Sequence, residues 1–293
     1  MQDLKGKTAF ITGGSSGIGL GIAEALAQEG AKIAFTFQRE DHRDHALEVL
    51  KGAEVRAIRL DVTDRAGFVL AADEAEAAFG PIQILVNNAG VGVGGLIEDA
   101  TYDDWDWVMG INLGGVINGI VTILPRMIAS GLQGHIVNVS SMGGAAALGS
   151  VGVYATSKFA VVGLSEALRT DMIGRNIGVS VYCPGPVRSN MGEAGKMRPK
   201  ALANTGYKPP PMPANAPPHP MMLNAMSELE AGQHVVRGIK QNQLFIFSHP
   251  EFRDVIKARG DAMVAAVPDE PVPQARADSI RWILSNAIYS EGA

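Results

Sequence analysis

The sequence is poor in cysteine and in charge, and each shortage excludes a class of protein. One cysteine, Cys183, stands among the 293 residues, so no internal disulfide can form and a cytoplasmic protein is expected. Its place at the end of a predicted strand favours a small buried side chain over a reactive thiol. Charged residues make up 19% of the chain and the formal net charge is −5. This acidic balance gives no electrostatic reason to expect nucleic acid or an anionic membrane as a partner.

Long hydrophobic runs and metal-ligand spacings are also missing. No stretch approaches about 18 continuous apolar residues, and MQDLKGKTAF at the N-terminus has no apolar run of signal-peptide length. We therefore expect no membrane span. The six histidines form no spacing that fits a metal site, so no metal is expected either.

Apolar strand-like runs alternate with helical segments along most of the chain. The strands read as TAFIT, KIAFTF, EVRAIRLDV, ILVNNAG, GHIVNVSS and GVSVYCPG, and QLFIFS adds a seventh. They are continuous apolar runs, which is typical of strands covered on both faces. Strands separated by helices predict a parallel sheet with right-handed crossovers and helices on both faces. The expected fold is therefore α/β, of the doubly wound Rossmann type.

We expect residues 1–293 to form a single domain with three parts. The core covers about 5–190 and 227–249. Residues 191–226 hold half of the twelve methionines and include KPPPMPANAPPHP, which is too rich in proline for a helix or a central strand. This segment suits a solvated linker or, as we favour, a loop that covers the substrate. A helical C-terminal extension of about 250–293 follows, with a Pro-rich break at VPDEPVP.

The glycine-rich stretch TGGSSGIG, at residues 12–19, follows the first strand and opens a helix. A phosphate-loop NTPase would place Lys-Ser or Lys-Thr after its last glycine, but Leu-Gly follows Gly19 here. The Rossmann interpretation fits better. Gly13 and Gly17 permit a tight turn near a pyrophosphate, Gly19 lets helix and strand pack closely, and the helix N-terminus offers free N–H donors.

The segment YATSK places Tyr154 and Lys158 four residues apart in a predicted helix, so they share a face. A phenol has a pKa of about 10, and a neighbouring ammonium lowers it by favouring the phenolate. A tyrosine tuned in this way can take a proton from an alcohol or return it to a carbonyl. Ser141, at the end of the fifth strand, can bond the substrate oxygen and stabilise its developing charge.

These motifs together resemble the short-chain dehydrogenase/reductase family. The resemblance rests on Thr12-Gly13 with Gly17-Ile18-Gly19, NNAG at 87–90, Asn112, Ser141 and Tyr154-x₃-Lys158, and it spans about residues 5–190. It implies a seven-stranded sheet in the order 3-2-1-4-5-6-7. It also implies a catalytic set in which Tyr154 is the general acid/base, Lys158 activates it and binds the nicotinamide ribose, Ser141 binds substrate, and Asn112 kinks the long helix and holds a water.

The same resemblance implies a set of residues that bind a nicotinamide cofactor. In it, Asp61 contacts the adenine amino group with Val62 beside it, and Val187 and Ser189 hold the carboxamide. Serine at position 189 is a mild departure, because the family usually has threonine there. The full set is Gly13, Ser15, Ser16, Gly17, Ile18, Gly19, Phe37, Gln38, Arg39, Asp61, Val62, Asn88, Ala89, Gly90, Tyr154, Lys158, Pro184, Gly185, Val187 and Ser189.

The end of the second strand bears on the choice between NADP and NAD. An NAD enzyme usually has Asp or Glu there, on the ribose 2′-hydroxyl, but this chain has Phe37. Gln38 and Arg39 follow, and an arginine can clamp a 2′-phosphate bidentately. Against this, Ser16 stands where many NADP enzymes place a basic residue, and Arg39 also suits a solvated surface charge. We expect NADP, with NAD as the alternative.

The long helix with its following strand, and the late FIFSHPEFRD, look similar to the bacterial aryl-ether Cα-dehydrogenase branch of the family. That likeness implies oxidation of benzylic alcohols of lignin type, with NAD as an alternative cofactor. We expect a bulky apolar or aromatic secondary alcohol or ketone. The candidate pocket residues are Met142, Leu148, Met191, Met197 and Tyr207.

Other functions and the oligomeric state are also open. An epimerase or dehydratase on the same fold is disfavoured by Asn112 and Ser141 together. A catalytically silent cofactor-binding interaction protein would typically lack the tyrosine or the lysine, and both are present. The resemblance implies a homo-oligomer, a dimer or tetramer, that associates through the helices at about 102–130 and 154–173.

Overall fold

The computed structural model describes residues 1–207, 223–284 and 287–289. Its central element is a seven-stranded parallel sheet in the order β3-β2-β1-β4-β5-β6-β7, so the predicted order is confirmed. The strands are β1 Thr8–Ile11, β2 Lys32–Phe37, β3 Val55–Arg59, β4 Ile82–Asn87, β5 Gly134–Val139, β6 Ile177–Cys183 and β7 Phe245–Phe247.

Helices cover both faces of this sheet and continue beyond it. They are α1 Gly17–Gln28, α2 Glu40–Val49, α3 Arg65–Phe79, α4 Tyr102–Met109, α5 Gly115–Ser130, α6 Gly152–Asp171, α7 Glu228–Gln241, α8 Arg253–Ala265, α9 Gln274–Ser279 and α10 Arg281–Leu284. The last three follow β7, and α8 and α9 lie on either side of the Pro-rich stretch VPDEPVP.

The strands are buried because both faces of the sheet pack against helices. Every residue of β1, β4 and β5 is buried. Alternate strand residues join α1 and α7 in one apolar cluster, while their neighbours join α3 and α5 in another. This explains the continuous apolar runs in the sequence, since successive side chains point to opposite faces and neither face is left to solvent.

Local sequence signals set several helix ends. Asp64 caps α3 by accepting a hydrogen bond from the Gly67 N–H at 3.0 Å, and an aspartate in this position satisfies an otherwise unpaired helix donor. Gly30, just beyond α1, has a φ of +78°, the left-handed conformation that commonly ends helices.

The helical stretch Tyr102–Ser130 passes the length and composition test for a membrane span, with a mean hydropathy of 1.7 over its best window. No such span was expected from the sequence. In this structure the stretch packs against α3, α6 and β4, and 39% of that window is buried. Its Asn118 donates to the Val62 carbonyl at 2.8 Å, which ties it to the loop after β3.

The sheet positions a crevice where its strand order reverses. β1 lies between β2 and β4, so the chain runs one way from β1 to β3 and the other way from β4 to β7. In open parallel sheets, ligands bind at the carboxyl ends of the strands beside such a reversal. The loops that follow β1, β4, β5 and β6 therefore frame the candidate site.

Candidate functional site

The glycine-rich turn after β1 is tied to the loop after β4. The Thr12 hydroxyl accepts hydrogen bonds from the N–H groups of Asn88 and Ala89 at 2.9 and 3.0 Å. In return, Asn88 Nδ2 donates to the carbonyls of Thr12 and Gly13. A Cβ at Gly19 would overlap Asn88 Nδ2 and the Gly13 carbonyl, so the close packing requires glycine there.

The start of α1 has the properties of an anion-binding site. Gly17 has a φ of +53°, and Ser16, the residue at the helix N-cap, makes no side-chain capping bond within the described residues. The first N–H groups of α1 are thus left for a ligand, and the helix dipole favours a negative one. A Cβ at Gly17 would lie 3.1 Å from Ser189 Cβ, so the loop after β6 runs alongside this turn. These features fit the pyrophosphate of a dinucleotide.

The loop after β6 is held by a residue that the sequence analysis missed. His249 Nδ1 accepts from the Gly185 N–H at 3.1 Å, so its Nε2 carries the proton and donates to the Pro186 carbonyl, also at 3.1 Å. Backbone hydrogen bonds between Arg188 and Met226 and between Met226 and Pro186 complete the support. The segment FIFSHPEFRD drew attention for its similarity to a family branch, but nothing in it indicated this long-range contact.

Tyr154, Ser141 and Leu148 surround one point beside the 3₁₀ turn that follows β5. A Cβ on Gly143 would lie 3.6 Å from Ser141 Oγ, 3.7 Å from Tyr154 Cε1 and 3.5 Å from Leu148 Cδ1. The neighbouring Ser140 takes a different role: its hydroxyl is buried and donates to the Lys158 carbonyl at 2.8 Å. Ser141 is thus the serine that lies beside the tyrosine.

Lys158 is buried next to Tyr154 and points along the helix face toward β5. Its Nζ donates to the Val139 carbonyl at 3.0 Å and lies 5.7 Å from the centre of the Tyr154 ring. Burial lowers the pKa of Lys158 to about 8. Burial also raises the pKa of Tyr154 above its usual value, while the hydrogen bond with Ser141 acts in the opposite direction. In the protein alone, therefore, the phenol keeps its proton at neutral pH.

Asn112 lies in a π-helical turn, Gly110–Gly114, between α4 and α5. Its side chain is fully buried, accepts from the Val91 N–H at 2.8 Å, and donates to the Val91 carbonyl and to Ser157 Oγ. A Cβ on Gly90 would lie 3.2 Å from Asn112 Oδ1 and 3.4 Å from Lys158 Nζ. The asparagine thus joins the loop after β4 to the helix that carries Tyr154 and Lys158.

Three arginines gather at the end of β2, and the sequence analysis singled out one of them. Arg43 and Arg59 lie over the Phe37 ring at 5.5 and 5.3 Å from its centre, and both pair with Glu40. Arg39 pairs with Asp41 at 2.5 Å, and this ion pair is exposed. The proximity of Arg59 follows from the order β3-β2, because parallel neighbours end at the same edge.

Asp61, Val62 and Cys183 differ in their exposure and in the contacts that they make. The Asp61 carboxylate is exposed and accepts from the N–H and hydroxyl of Thr63 at 2.9 and 2.7 Å, so it stabilises its own turn. Val62 is buried against Gly115. Cys183 is fully buried and burial raises the pKa of its thiol to about 12, which agrees with the small buried side chain that was predicted.

The five candidate pocket residues do not all line the crevice. Met191 lies against Gly92 in the loop after β4, Leu148 is beside Tyr154, and Tyr207 is packed on the same β4 loop. Met197 is half exposed. Met142, in contrast, is buried in a core cluster with Val116 and Val161, because it begins the 3₁₀ turn with its side chain directed inward. Part of the Pro-rich segment, 208–222, lies outside the described residues.

No group of three or more His, Cys, Asp or Glu side chains is placed to hold a metal ion in residues 1–207, 223–284 and 287–289. The oxygen and nitrogen groups of the crevice are instead hydroxyls, a phenol, an ammonium and backbone amides. Such groups handle a proton and an oxyanion rather than a metal-bound water.

Comparison with known proteins agrees with this geometry. A family model described as short chain dehydrogenase matches residues 7–199. The chain is 38% identical over 301 residues to a C alpha-dehydrogenase of Sphingobium sp., covering 100% of this chain and 98% of that protein. It is 37% identical to an NADP-dependent (R)-specific alcohol dehydrogenase of Lentilactobacillus kefiri, over 64% of this chain and 75% of that protein. A solved short chain dehydrogenase/reductase of Burkholderia phymatum in complex with NAD is 31% identical with a TM-score of 0.81, covering 93% of this chain and 100% of that one.

Proposed function

The chain belongs to the short-chain dehydrogenase family, and from this premise we propose that it transfers a hydride between NADP and a bulky apolar or aromatic secondary alcohol or its ketone. One observation carries the proposal: Tyr154, Ser141 and Lys158 meet at the carboxyl end of β5, beside a glycine turn shaped for a pyrophosphate.

Tyr154, Ser141 and Lys158 have different roles in the proton transfer. When bound, the nicotinamide supplies or accepts the hydride. On reduction, Tyr154 donates its phenolic proton to the carbonyl oxygen, and on oxidation its phenolate takes the proton from the alcohol. Ser141 donates a hydrogen bond to the same oxygen and stabilises its charge. Lys158, on the helix that Asn112 joins to the loop after β4, holds the ribose and favours the phenolate when it is charged.

The cofactor is held by the loops that frame the crevice. We assign the pyrophosphate to the turn of residues 13–19, the adenine to Asp61 and Val62, and the carboxamide to Val187 and Ser189. NADP is favoured because residue 37 is phenylalanine rather than a carboxylate, and because three guanidinium groups, those of Arg39, Arg43 and Arg59, lie at the end of β2. In the structure these groups are paired with neighbouring carboxylates, so the 2′-phosphate would take the place of one of those partners. A guanidinium can bind the 2′-phosphate with two hydrogen bonds.

A parallel fluorescence titration with NADPH and NADH tests this assignment. We expect tighter binding of NADPH, and a loss of that preference by about tenfold or more in Arg39→Glu. Arg56→Glu is the matched control. It makes the same charge change at the exposed ion pair between Arg56 of β3 and Glu74 of α3. Unchanged NADPH affinity in Arg39→Glu would reject the clamp, and binding of neither nucleotide would reject the dehydrogenase function.

A second candidate function is NAD-dependent oxidation of benzylic alcohols. It is favoured by the likeness to the C alpha-dehydrogenase, which extends over the whole chain and so includes the extension after β7. Glu40, at the start of α2, then takes the ribose hydroxyls. Steady-state oxidation of 1-phenylethanol and of 2-butanol with each nucleotide separates the two candidates, because only the second predicts faster turnover with NAD.

We further propose that residues 1–293 act as one domain. In it, residues 191–226 form a substrate loop and residues of about 250–293 form a helical C-terminal extension of the core. The chain is proposed to work as a homo-oligomer through α5 and α6. Ile117, Val121 and Ile128 of α5 are exposed apolar side chains suited to such an interface. Light scattering on the purified protein measures the assembly.

A further inference from the structure

We infer that Asp104 and Arg198 form a buried latch that holds residues 190–207, the first part of the substrate loop, against α4 and thereby positions it over the crevice. The inference rests on the proposed function for its kinetic consequence: these are positioning residues for a bulky substrate. The latch itself is a structural claim that can be tested without any turnover.

The ion pair is unusual in its burial. Arg198 Nη1 lies 2.7 Å from Asp104 Oδ1, and the two side chains are 8% and 0% exposed. The ion pairs Arg39–Asp41, Arg56–Glu74 and Lys240–Glu29 involve side chains that are all at least 31% exposed. Removing one partner of a buried pair leaves an uncompensated charge, which is strongly unfavourable. Asp104 therefore keeps Arg198 as its cationic partner only while the loop remains packed against α4.

The Asp104 carboxylate joins α4 to the loop through several hydrogen bonds. It accepts from the N–H and hydroxyl of Thr101, which caps the start of α4, and from the N–H of Tyr207, at the far end of the loop segment. Gly206 has a φ of +70°, and a Cβ there would overlap the carboxylate. The loop backbone thus approaches the carboxylate as closely as glycine permits.

Arg198 is fixed from three sides. Its guanidinium lies 5.2 Å from the centre of the Trp107 ring, its Nη1 pairs with Asp104, and its Nε donates to the Leu202 carbonyl at 2.8 Å. A lysine cannot stack and donate in this fork-like manner. The Arg198 side chain therefore connects the turn at Leu202, within the loop, to Asp104 and Trp107 of α4.

The seated loop is connected to the catalytic helix. The Tyr207 ring packs on Gly95 and its hydroxyl donates to the Leu96 carbonyl at 2.6 Å. Gly95 in turn pairs with Val151, which immediately precedes α6, the helix that carries Tyr154. At the other end of the segment, Met191 lies against Gly92 in the loop after β4. The latch thus fixes the position of the loop that bounds the space above Ser141 and Tyr154.

Proteolysis tests the latch directly. Trypsin can cut this segment after Lys196 and Lys200 but not after Arg198, because Pro199 follows, so Arg198→Met changes no cleavage site. We expect native-state cleavage to be about tenfold faster or more in Arg198→Met than in the wild type. Glu74→Gln, which breaks the exposed ion pair with Arg56 and also changes no cleavage site, is the matched control and should be cut at the wild-type rate. Equal rates in Arg198→Met and the wild type would overturn the latch.

Kinetics test its consequence for the substrate. With 2-acetylnaphthalene, we expect Arg198→Met to raise KM about tenfold with kcat within about twofold, while KM for 2-butanone and the affinity for nucleotide stay unchanged. Arg198→Lys should lie between, and Asp104→Asn/Arg198→Met should be no worse than Arg198→Met alone, because the two residues act as one unit. Equal KM changes for both ketones would reject the positioning role.

The two readouts separate the possible failures. A wild-type protein that turns over neither ketone contradicts the proposed function, while the cleavage rates still decide the latch. If Arg198→Met does not fold, as judged by circular dichroism, Asp104→Asn takes its place with the same expected changes in cleavage and KM. Asparagine keeps the bonds from Thr101 and loses the ionic partner of Arg198.

Discussion

Lys158 Nζ donates to the Val139 carbonyl at the end of β5, so the ammonium that accompanies Tyr154 is held by the sheet itself. The lysine is almost fully buried, and that burial lowers its pKa to about 8. The protein thus carries a charged group beneath its candidate active site that lowers the stability of the fold.

Replacing this lysine is expected to stabilise the fold while abolishing turnover. The folded pKa of about 8 lies below the ordinary value of 10.5, so the wild type loses stability as the pH falls from 10.5 to 8 and stays at the lower level below that. Lys158→Met should therefore raise the free energy of unfolding at pH 7 by roughly 1–3 kcal/mol, with the lost hydrogen bond offsetting part of the gain.

Urea unfolding of both proteins at pH 7 and pH 10.5 measures this difference. The advantage of Lys158→Met should shrink at the higher pH, where the wild-type lysine is neutral in the folded protein and about half neutral in the unfolded chain. A variant that is less stable than the wild type at pH 7 would contradict the prediction.

Tyr154→Phe is expected to lower kcat by about 10²–10⁴-fold, the usual contribution of a general acid/base. Nucleotide affinity should remain, because the glycine turn and the loops after β3 and β6 are unaffected. Tyr102→Phe removes the same hydroxyl from a side chain that is 88% exposed and serves as the control. Stopped-flow measurement of hydride transfer checks the change, and a loss below about fivefold would reassign the acid/base.

His249→Ala is expected to weaken nucleotide binding with little change in kcat at saturation. The variant leaves the Gly185 N–H without its acceptor and frees the loop that carries Val187 and Ser189. The loss of one such hydrogen bond corresponds to about a tenfold rise in Kd. A fluorescence titration measures it, with the half-buried His234→Ala on α7 as control; equal Kd values for the two variants would argue against the support role.

His135 is expected to weaken the fold at acid pH. It is fully buried, its Nε2 is 2.8 Å from Ser180 Oγ, and Ser180 donates to the Gln243 carbonyl, so Nε2 is the donor. Burial lowers its pKa from 6.5 to about 3. Because the unfolded chain binds the proton first, stability falls as the pH drops from 6.5 to 3, by about 1.4 kcal/mol per unit.

His135→Gln keeps a donor for Ser180 and removes this titration. The variant should lose less stability than the wild type between pH 6.5 and pH 4.5, measured by urea unfolding at several pH values. His45→Gln, on the exposed face of α2, is the control and should follow the wild type. Parallel pH dependences for the wild type and His135→Gln would refute the prediction.

The sequence predicted the sheet well because its signals are local. Each apolar run depends only on neighbouring residues, and the structure has a strand at each of them. The pair Tyr154 and Lys158 was found in the same way, through helical spacing. Ser141 was expected from its place at the end of the fifth strand, and the structure places it beside Tyr154.

Contacts between distant parts of the chain could not be predicted in this way. His249 reaches Gly185 across 64 positions, and Arg198 reaches Asp104 across 94. Met142 was expected to be a pocket residue, yet its side chain is buried in a core cluster at the 3₁₀ turn. Each of these depends on the direction of a side chain from a loop, which local patterns do not determine.

The burial of Cys183 makes the molecule convenient for spectroscopy. Its thiol is inaccessible and, with a pKa of about 12, is almost wholly protonated at neutral pH. Thiolate is the species that reacts with maleimide and iodoacetamide labels. Cys183 of the folded protein would therefore not compete with an introduced cysteine for the label. A cysteine introduced at Leu223 or at exposed Met197 would accept a single dye or spin label, and its signal would report where that loop stands as nucleotide and ketone are added.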